Sequence, residues 1–284
     1  MRYTVPAPVA LGDCLARLLP EASSRTRKQM VAGGRIRVNG TVARRSEAAL
    51  AAGDVVEVTA RLPRTTLPPR LVLLHEDDDV LVVDKPAGLL TIATEHERER
   101  TVYRHLTAHV RARRPAGRVF VVHRLDREAS GLVVFATSPE GKRALQAQFA
   151  AHTVERTYLA VVDGRPPHAA GTITSRLLDR TAGRVRETHR PGRGRAAVTH
   201  WRVVRAGQNH ALLEVRLETG RRNQIRVHLA RIGHPITGDA TYGSRTDLLG
   251  RLALHAHVLG FDHPRTGARL RFVSPAPPAF TRLT

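Results

Sequence analysis

The stretch VFVVHRLDREASGLVVFA, residues 119–136, sets one carboxylate, Asp126, between Arg124 and Arg127, inside a short polar segment flanked by β-branched apolar runs. A carboxylate carried into apolar surroundings is costly unless it is paired and hydrogen-bonded. Two readings fit: an aspartate that bonds the backbone of a turn, or a charged group kept for chemistry beside an anionic ligand, with arginines suited to phosphates and base edges. A second reactive group lies in ETGRRNQIRVHLARIGHPITGD, residues 218–239. There Thr219-Gly220 breaks a strand and a helix follows, so its free N–H groups with Arg221 and Arg222 form an anion site. Arg222 and Arg226 share one face of that helix, and Ile225 and Leu229 another. A solvated basic helix would show the same pattern. Tyr158, in HTVERTYLAVV, stands between apolar residues, where a tyrosine usually belongs to the core with its hydroxyl bonded.

Other chemistries find less support. His255 and His257, in LHAH, share one face of a strand, but no third ligand stands near them, so no metal site is expected. Neither a Walker-type nor a dinucleotide fingerprint occurs. Cys14 is the single cysteine, which rules out an intrachain disulfide and a cysteine metal site. A glycosidase would want two carboxylates, and Asp126 has only Glu128 beside it. Lys85, in DKPAG, reads as a strand exit whose turn is eased by Gly88.

The elements that must position these groups alternate between strands and helices. Leu11, Leu15, Leu18 and Leu19 recur at helical spacing until Pro20. Ser23-Ser24 caps a second helix over 25–32, which Gly33-Gly34 stops. RIRVNGTVA is a hairpin turning at Asn39-Gly40, and AGDVVEVTA a further strand. RLPRTTLPPR, 61–70, holds three prolines and reads as an extended linker. Beyond it come two strands around an acidic turn, a helix over 101–112, the Asp126 segment and the amphipathic helix SPEGKRALQAQFAAH. The strands TYLAVVDG and GTITSRL follow. Residues 180–197 form a flexible basic loop; a strand pair, the helix RRNQIRVHLARIG and two closing strands complete the chain. The expected fold is α+β: a mixed, mostly antiparallel sheet with a central cleft, plus a small α/β N-terminal domain. The expected boundaries are 1–60, a linker over 61–70, and 71–284.

Charge sets the partner class. The 284 residues carry 46 Lys and Arg against 25 acids, a formal charge of +21; three are lysines, leaving 43 arginines. GC-rich coding favours arginine over lysine but does not create the surplus, so a polyanion, nucleic acid above all, is expected. Aromatics at 4% argue against a wide single-strand stacking platform. No apolar run approaches the ~20 residues of a membrane span. The start of the chain, with Asp13 and Glu21, reads as mature protein rather than a signal peptide.

In order and spacing, HRLDREASGLVVFA, ERTYLAVVDG and TGRRNQIRVHLARIGHPITGD resemble the RluA-type pseudouridine synthases. EDDDVLVVDKPAGLLT and LALHAHVLGFDHPRTG resemble them too, so the likeness spans roughly 70–280. Residues 11–58, above all SRTRKQMVAGGRIRVNGTVA, resemble the alpha-L RNA-binding domain that often precedes that catalytic domain. The resemblance implies a cofactor-independent, metal-free isomerisation of uridine in RNA to pseudouridine. The N1–C1′ bond breaks, the base turns, and C5 joins C1′. Asp126 matches the essential aspartate, Tyr158 the active-site tyrosine that stacks on uracil, and Arg226 the basic partner of the aspartate.

The same resemblance has Arg124 filling the gap left by a flipped base, with His123, Arg221, Arg222 and Gln224 touching RNA near the cleft. Arg25, Arg27, Lys28, Arg35 and Arg37 would grip phosphates from the N-terminal domain. Ala129 and Asn223 stand where the family often has threonine and histidine. The partner implied is RNA, large-subunit ribosomal RNA first with transfer RNA as the alternative, met by a cytoplasmic monomer with no membrane contact. A catalytically inactive RNA-binding or ribosome-assembly protein would share the charge but would be expected to lose one of Asp126, Tyr158 and Arg226. A general basic DNA-binding protein would need no pocket at all.

Overall fold

A computed structural model describes residues 2–32, 35–43, 45–58, 67–179, 184–190 and 192–284. The chain divides into two compact units, Met1–Thr66 and Leu67–Thr284. Of the expected linker, 61–66 lie outside the described residues, while Leu67 packs on the core of the second unit.

The first unit comprises β1 (Arg2–Thr4), β2 (Val9–Ala10), α1 (Leu11–Leu18), α2 (Ser24–Ala32), β3 (Ile36–Val38), β4 (Thr41–Val42), β5 (Ala49–Leu50) and β6 (Val55–Val58). Its sheet runs β1-β6-β3-β4, with β2 and β5 paired apart. Leu11, Cys14 and Leu15 of α1 close its core against Met30, Val31, Ile36 and Val56. The β3–β4 turn falls at Asn39-Gly40, both left-handed (φ 50° and 79°), the backbone that a two-residue hairpin with matching strand twist requires. The Ser23 hydroxyl accepts the Thr26 N–H at the start of α2, as its position before the helix predicts.

The second unit is built on one sheet of eleven strands. In chain order its elements are β7 (Val72–Glu76), β8 (Val80–Lys85), α3 (Val102–Arg111), β9 (Phe120–Val121), β10 (Ser130–Ala136), α4 (Pro139–Ala150) and β11 (Glu155–Asp163). Then come β12 (Ala170–Asp179), β13 (Val185–Glu187), β14 (Arg195–Ala206), β15 (His210–Leu217), α5 (Gln224–Arg231), β16 (Leu254–Asp262), β17 (Arg269–Val273) and α6 (Pro278–Arg282). The strand order is β13-β12-β14-β15-β11-β16-β10-β8-β7, with β17 on β16 and β9 on β10. Among the strand pairs of the described residues β10–β16 is the parallel one, beside an isolated parallel bridge between Leu90 and Thr101. Three details depart from the sequence reading. The loop expected over 180–197 contains β13 and the start of β14; 180–183 and 191 lie outside the described residues. The helix expected from Arg221 begins at Gln224. The proline-rich tail ends in α6, whose Phe280 is fully buried.

All seven residues of β10 are buried, because both faces of the sheet are covered. Val133 and Phe135 join one core with Leu106 of α3 and Ile225 and Leu229 of α5. Leu132 and Val134 join another with Leu145 of α4. At the β10 entrance Gly131 (φ 109°) pairs with Ala256, and a Cβ there would stand 2.2 Å from the Ala256 carbonyl oxygen. Ala256 also pairs with Tyr158, just past a register shift in β11. One backbone position of β16 therefore indexes both the loop that carries Asp126 and the strand that carries Tyr158.

Candidate active site

Asp126, Tyr158 and Arg226, more than 30 residues apart from one another in the chain, line one narrow pocket of about 70 Å³. It opens on a cleft of about 510 Å³ that shares Arg124, Asp126, Asn223 and Arg226 and adds Arg222 and Asp239. Arg226, on the first turn of α5, donates through Nη1 to Asp126 Oδ2 at 3.2 Å. It grips Asp239 more firmly, with Nε to Oδ2 at 2.7 Å and Nη2 to Oδ1 at 2.8 Å. Burial works against the Arg226 charge, but Asp239 and then Asp126 outweigh it, and its pKa is raised. The guanidinium also lies over the Tyr242 ring, 5.0 Å from the centroid.

The loop holding Asp126 is pinned on both sides. The Thr91 hydroxyl donates to the Leu125 carbonyl (2.8 Å) and accepts the Leu125 N–H (3.1 Å). The Arg127 carbonyl accepts from the Gly88 N–H (2.8 Å) and from Lys85 Nζ (3.1 Å). Lys85 is fully buried, and its Nζ also donates to the Pro86 and Leu89 carbonyls at 3.0 and 2.8 Å. Three carbonyls thus face a group with three donors, the arrangement an ammonium needs. Burial lowers the Lys85 pKa to about 7, against the upward pull of Glu128, Asp126 and Asp84. Lys85 is more than a strand exit: it ties the loop to β8.

Asn223, one residue before α5, adopts the left-handed conformation (φ 50°) that asparagine tolerates well. With its amide nitrogen toward the carboxylate it donates to Asp126 Oδ2 at 3.1 Å and Oδ1 at 3.3 Å, and its oxygen accepts from the Tyr242 hydroxyl at 3.0 Å. Tyr158 is 8% exposed, and burial pushes its phenol up, with Asp126 adding to the rise and Arg156 opposing it. It therefore stands in the pocket wall as a neutral phenol. Ala129 is buried beside it in the same pocket wall.

Several residues expected to touch RNA are engaged otherwise. Gln224 is 2% exposed and spends its whole amide internally: Oε1 accepts from Thr219 and the Arg221 N–H, and Nε2 donates to the Val198 carbonyl and to Thr199. It builds the turn into α5 and has no donor left for a ligand. It also takes one of the N–H groups assigned to the anion site at that helix start. His123 stacks on Phe149 with centroids 4.7 Å apart, and its Nε2 accepts the Val134 N–H. Burial, with Arg156 nearby, lowers its pKa to about 3, so it is a neutral structural ring. Arg27 is turned inward to the Leu19 and Ala22 carbonyls, which closes the loop after α1. Arg221 is half-buried, with Nε on the Ala196 carbonyl at 3.0 Å, but its side chain still lines the pocket. Arg124 and Arg222 are exposed at the cleft, and Arg25, Lys28 and Arg37 are exposed on the first unit, where Arg35 is half-buried. His255 Nε2 and His257 Nδ1 both donate to the Ser274 carbonyl, and His255 Nδ1 bonds the Ser130 hydroxyl, so both are structural.

Sequence reasoning passed over Asp239, Asn223 as a ligand of the carboxylate, Thr91 and the buried Lys85. Asp239 ends the motif ETGRRNQIRVHLARIGHPITGD, but nothing in its spacing from Arg226 announces the bidentate pair that the fold makes.

Comparisons with known proteins place the chain in a family. Residues 79–231 match the family described as RNA pseudouridylate synthase. YlyB of Bacillus subtilis, an RNA pseudouridine synthase, is 38% identical over 265 residues, which cover 89% of this chain and 86% of that protein. The ribosomal large subunit pseudouridine synthase D of Pseudomonas aeruginosa is 34% identical over 287 residues, 95% of this chain and 89% of its own. Among solved structures, human RNA pseudouridylate synthase domain containing 1 superposes with a TM-score of 0.60 at 25% identity, over 77% of this chain and 88% of the other.

Proposed function

From a chain that belongs to the RNA pseudouridylate synthase family, we propose an enzyme that isomerises one or a few uridines of large-subunit ribosomal RNA. The observation that carries the reading is the Asp126–Arg226 pair, 3.2 Å apart, in a pocket walled by Tyr158. The relatives named as large-subunit synthases align over nearly the whole chain, which supports ribosomal over transfer RNA. Asp126, Tyr158 and Arg226 line one pocket, so the reading asks for no second copy, and a ribosomal substrate supports work in the cytoplasm. Among the described residues no helix is long and apolar enough to cross a membrane.

The chemistry follows from the charges. As the N1–C1′ bond opens, positive charge builds on the sugar, and the Asp126 carboxylate stabilises it from within the pocket. Arg226 and Asn223 hold that carboxylate in place. Tyr158 stacks on the detached uracil while it turns to present C5, and C5 then joins C1′. The C5 proton must leave and N1 must gain one, so the isomer has the atoms of the substrate; Tyr158, a neutral phenol, takes the C5 proton only as it hands its own proton on toward N1. The uridine reaches this narrow pocket by flipping out of its stack, and Arg124, exposed at the mouth, fills the gap.

The test is pseudouridine mapping of total RNA from cells lacking the gene, complemented with wild type or Asp126→Asn. The expected result is loss of one or a few large-subunit sites, restored by wild type alone. Sites lost from transfer RNA instead would move the substrate. An unchanged map with RNA binding intact would leave a binding protein.

A further inference from the structure

Arg156, on β11 two residues before Tyr158, is 9% exposed and has no carboxylate partner among the described residues. Its Nη2 donates to the Glu218 carbonyl at 3.1 Å and its plane lies 5.4 Å over the Phe149 ring, while its Nε has no hydrogen-bond partner. The two acids that line a neighbouring cavity with Arg156 are committed elsewhere: the Glu218 carboxylate to His200 at 2.6 Å, and Glu155 to Arg271 at 3.1 Å. A cation left buried without a counter-ion is costly, and proteins keep one where a ligand completes it.

The surroundings give that ligand a place. Arg156 faces a cavity of about 550 Å³ lined also by Arg124, Tyr158 and Arg221. Those three residues line the catalytic pocket as well, so the cavity adjoins it. It does not include Asp126, Asp239 or Arg222, which line the other cleft. Gly220 makes room for the guanidinium: a Cβ there would stand 2.5 Å from Nη1. Its φ lies outside the left-handed range, and all that a Cβ would meet here is the end of the Arg156 side chain, which would have to shift.

We propose that Arg156 is a receptor for one backbone phosphate of the RNA next to the flipped uridine, with Gly220 holding open the space for its guanidinium. The proposal rests on the pseudouridine synthase reading and adds to it a subsite on the Tyr158 side of the pocket. The ligand is a phosphodiester: an oxyanion accepts the forked, charge-assisted hydrogen bonds that a guanidinium offers. Docking this phosphate draws the strand along β11, so the target base enters against Tyr158 and not through the Asp239 side.

The test uses a synthetic stem-loop centred on the mapped uridine, with each flanking linkage replaced in turn by an uncharged methylphosphonate. The full-length chain is used as wild type, Arg156→Gln and Gly220→Ala. For wild type, one linkage should weaken binding about 10- to 100-fold when neutralised, the range of a lost charged hydrogen bond. For Arg156→Gln the same linkage should be inert, and the slope of log K against log [salt] should be shallower by about one contact, ~0.7–0.9. Gly220→Ala, whose Cβ displaces the guanidinium, should lose the same linkage and no other. A merely structural arginine would lower binding for every RNA alike, with the linkage effects and the slope unchanged, and that result overturns the proposal. The same holds if Arg156→Gln does not fold and wild type and Gly220→Ala respond identically to every linkage. If wild type fails to convert the unmodified stem-loop, the synthase reading fails and the subsite falls with it; if wild type converts it but no linkage couples to Arg156, only the subsite is wrong.

Discussion

Arg226 belongs to Asp239 before it belongs to Asp126. Its two short bonds, 2.7 and 2.8 Å, go to a carboxylate that is 1% exposed, and a single longer one, 3.2 Å, reaches the carboxylate in the pocket. The pairing separates two tasks. Asp239 holds the guanidinium in place and supports its charge in the interior, which leaves one N–H aimed at Asp126. Asp126 is steadied by Arg226 and Asn223 without being locked in a bidentate pair with a guanidinium, so part of its acceptor capacity stays open.

Asp239→Asn therefore acts through Arg226. The amide keeps the shape but donates on one side, and the freed guanidinium swings toward Asp126. We expect the single-turnover rate to fall about 10- to 100-fold, the worth of ~1.5–3 kcal/mol of charged hydrogen bonding, with RNA affinity nearly unchanged. A variant whose affinity falls while its rate holds would show that Asp239 serves binding instead.

Asn223→Asp tests the other contact to the carboxylate. The wild-type amide donates to Asp126, whereas a third acid beside Asp126 and Asp239 would repel it. Turnover at neutral pH should drop by at least about 100-fold and recover partly as pH falls and one of the acids takes a proton. A rate profile parallel to wild type between pH 5 and 8 would exclude Asn223 from contact with Asp126.

Lys85→Met should destabilise the whole second unit. It leaves the Pro86, Leu89 and Arg127 carbonyls without their shared donor, at a cost of about 3 kcal/mol. The loop at Asp126 should loosen with it, so amide exchange at Leu125 and Arg127 should speed up more than exchange in β12. Uniform acceleration across the sheet would mean that Lys85 supports the fold alone.

What could be read from the sequence depended on the range of the interaction. Local signals held: the Asn39-Gly40 turn, the Ser23 cap and the helix over residues 139–150 depend on neighbours in the chain. Asp126, Tyr158 and Arg226, which the structure sets around one pocket, could be singled out together because their motifs are distinctive as words, not because spacing brought Asp126 to Arg226 across 100 residues. Partnerships made by the fold stayed hidden. Gln224 looked like one more polar group at a basic helix, yet four internal bonds consume it. Lys85 looked like a turn residue, yet it sits at 0% exposure beneath the catalytic loop. No local pattern distinguishes Arg156, whose guanidinium lacks an acid, from Arg271, which has Glu155. The sequence also hid β13, since a strand of three residues at a sheet edge carries almost no periodicity.

His228 links the site to acidity. It lies two residues after Arg226 on α5, fully buried, with Nε2 at Ser175 Oγ (2.9 Å) and Nδ1 at Thr199 Oγ1 (2.8 Å). Burial, with Arg231 nearby, lowers its pKa from 6.5 to about 4. The folded value is depressed, so the unfolded chain takes up the proton first as pH falls. The neutral ring's contribution is intact above pH 6.5 and is lost progressively down to about 4, a total of ~3 kcal/mol. His123, lowered to about 3, adds a second proton in the same direction. Urea unfolding of wild type should show stability falling between pH 6.5 and 4.5. His228→Gln should flatten that slope by close to one proton, about 1.4 kcal/mol per pH unit. Because α5 carries Arg226, the acid loss of activity in wild type should follow the same limb and shrink in the variant. If the two slopes coincide, His228 is already charged in the folded chain, and its bonds to Ser175 and Thr199 must be read with the ring as a double donor.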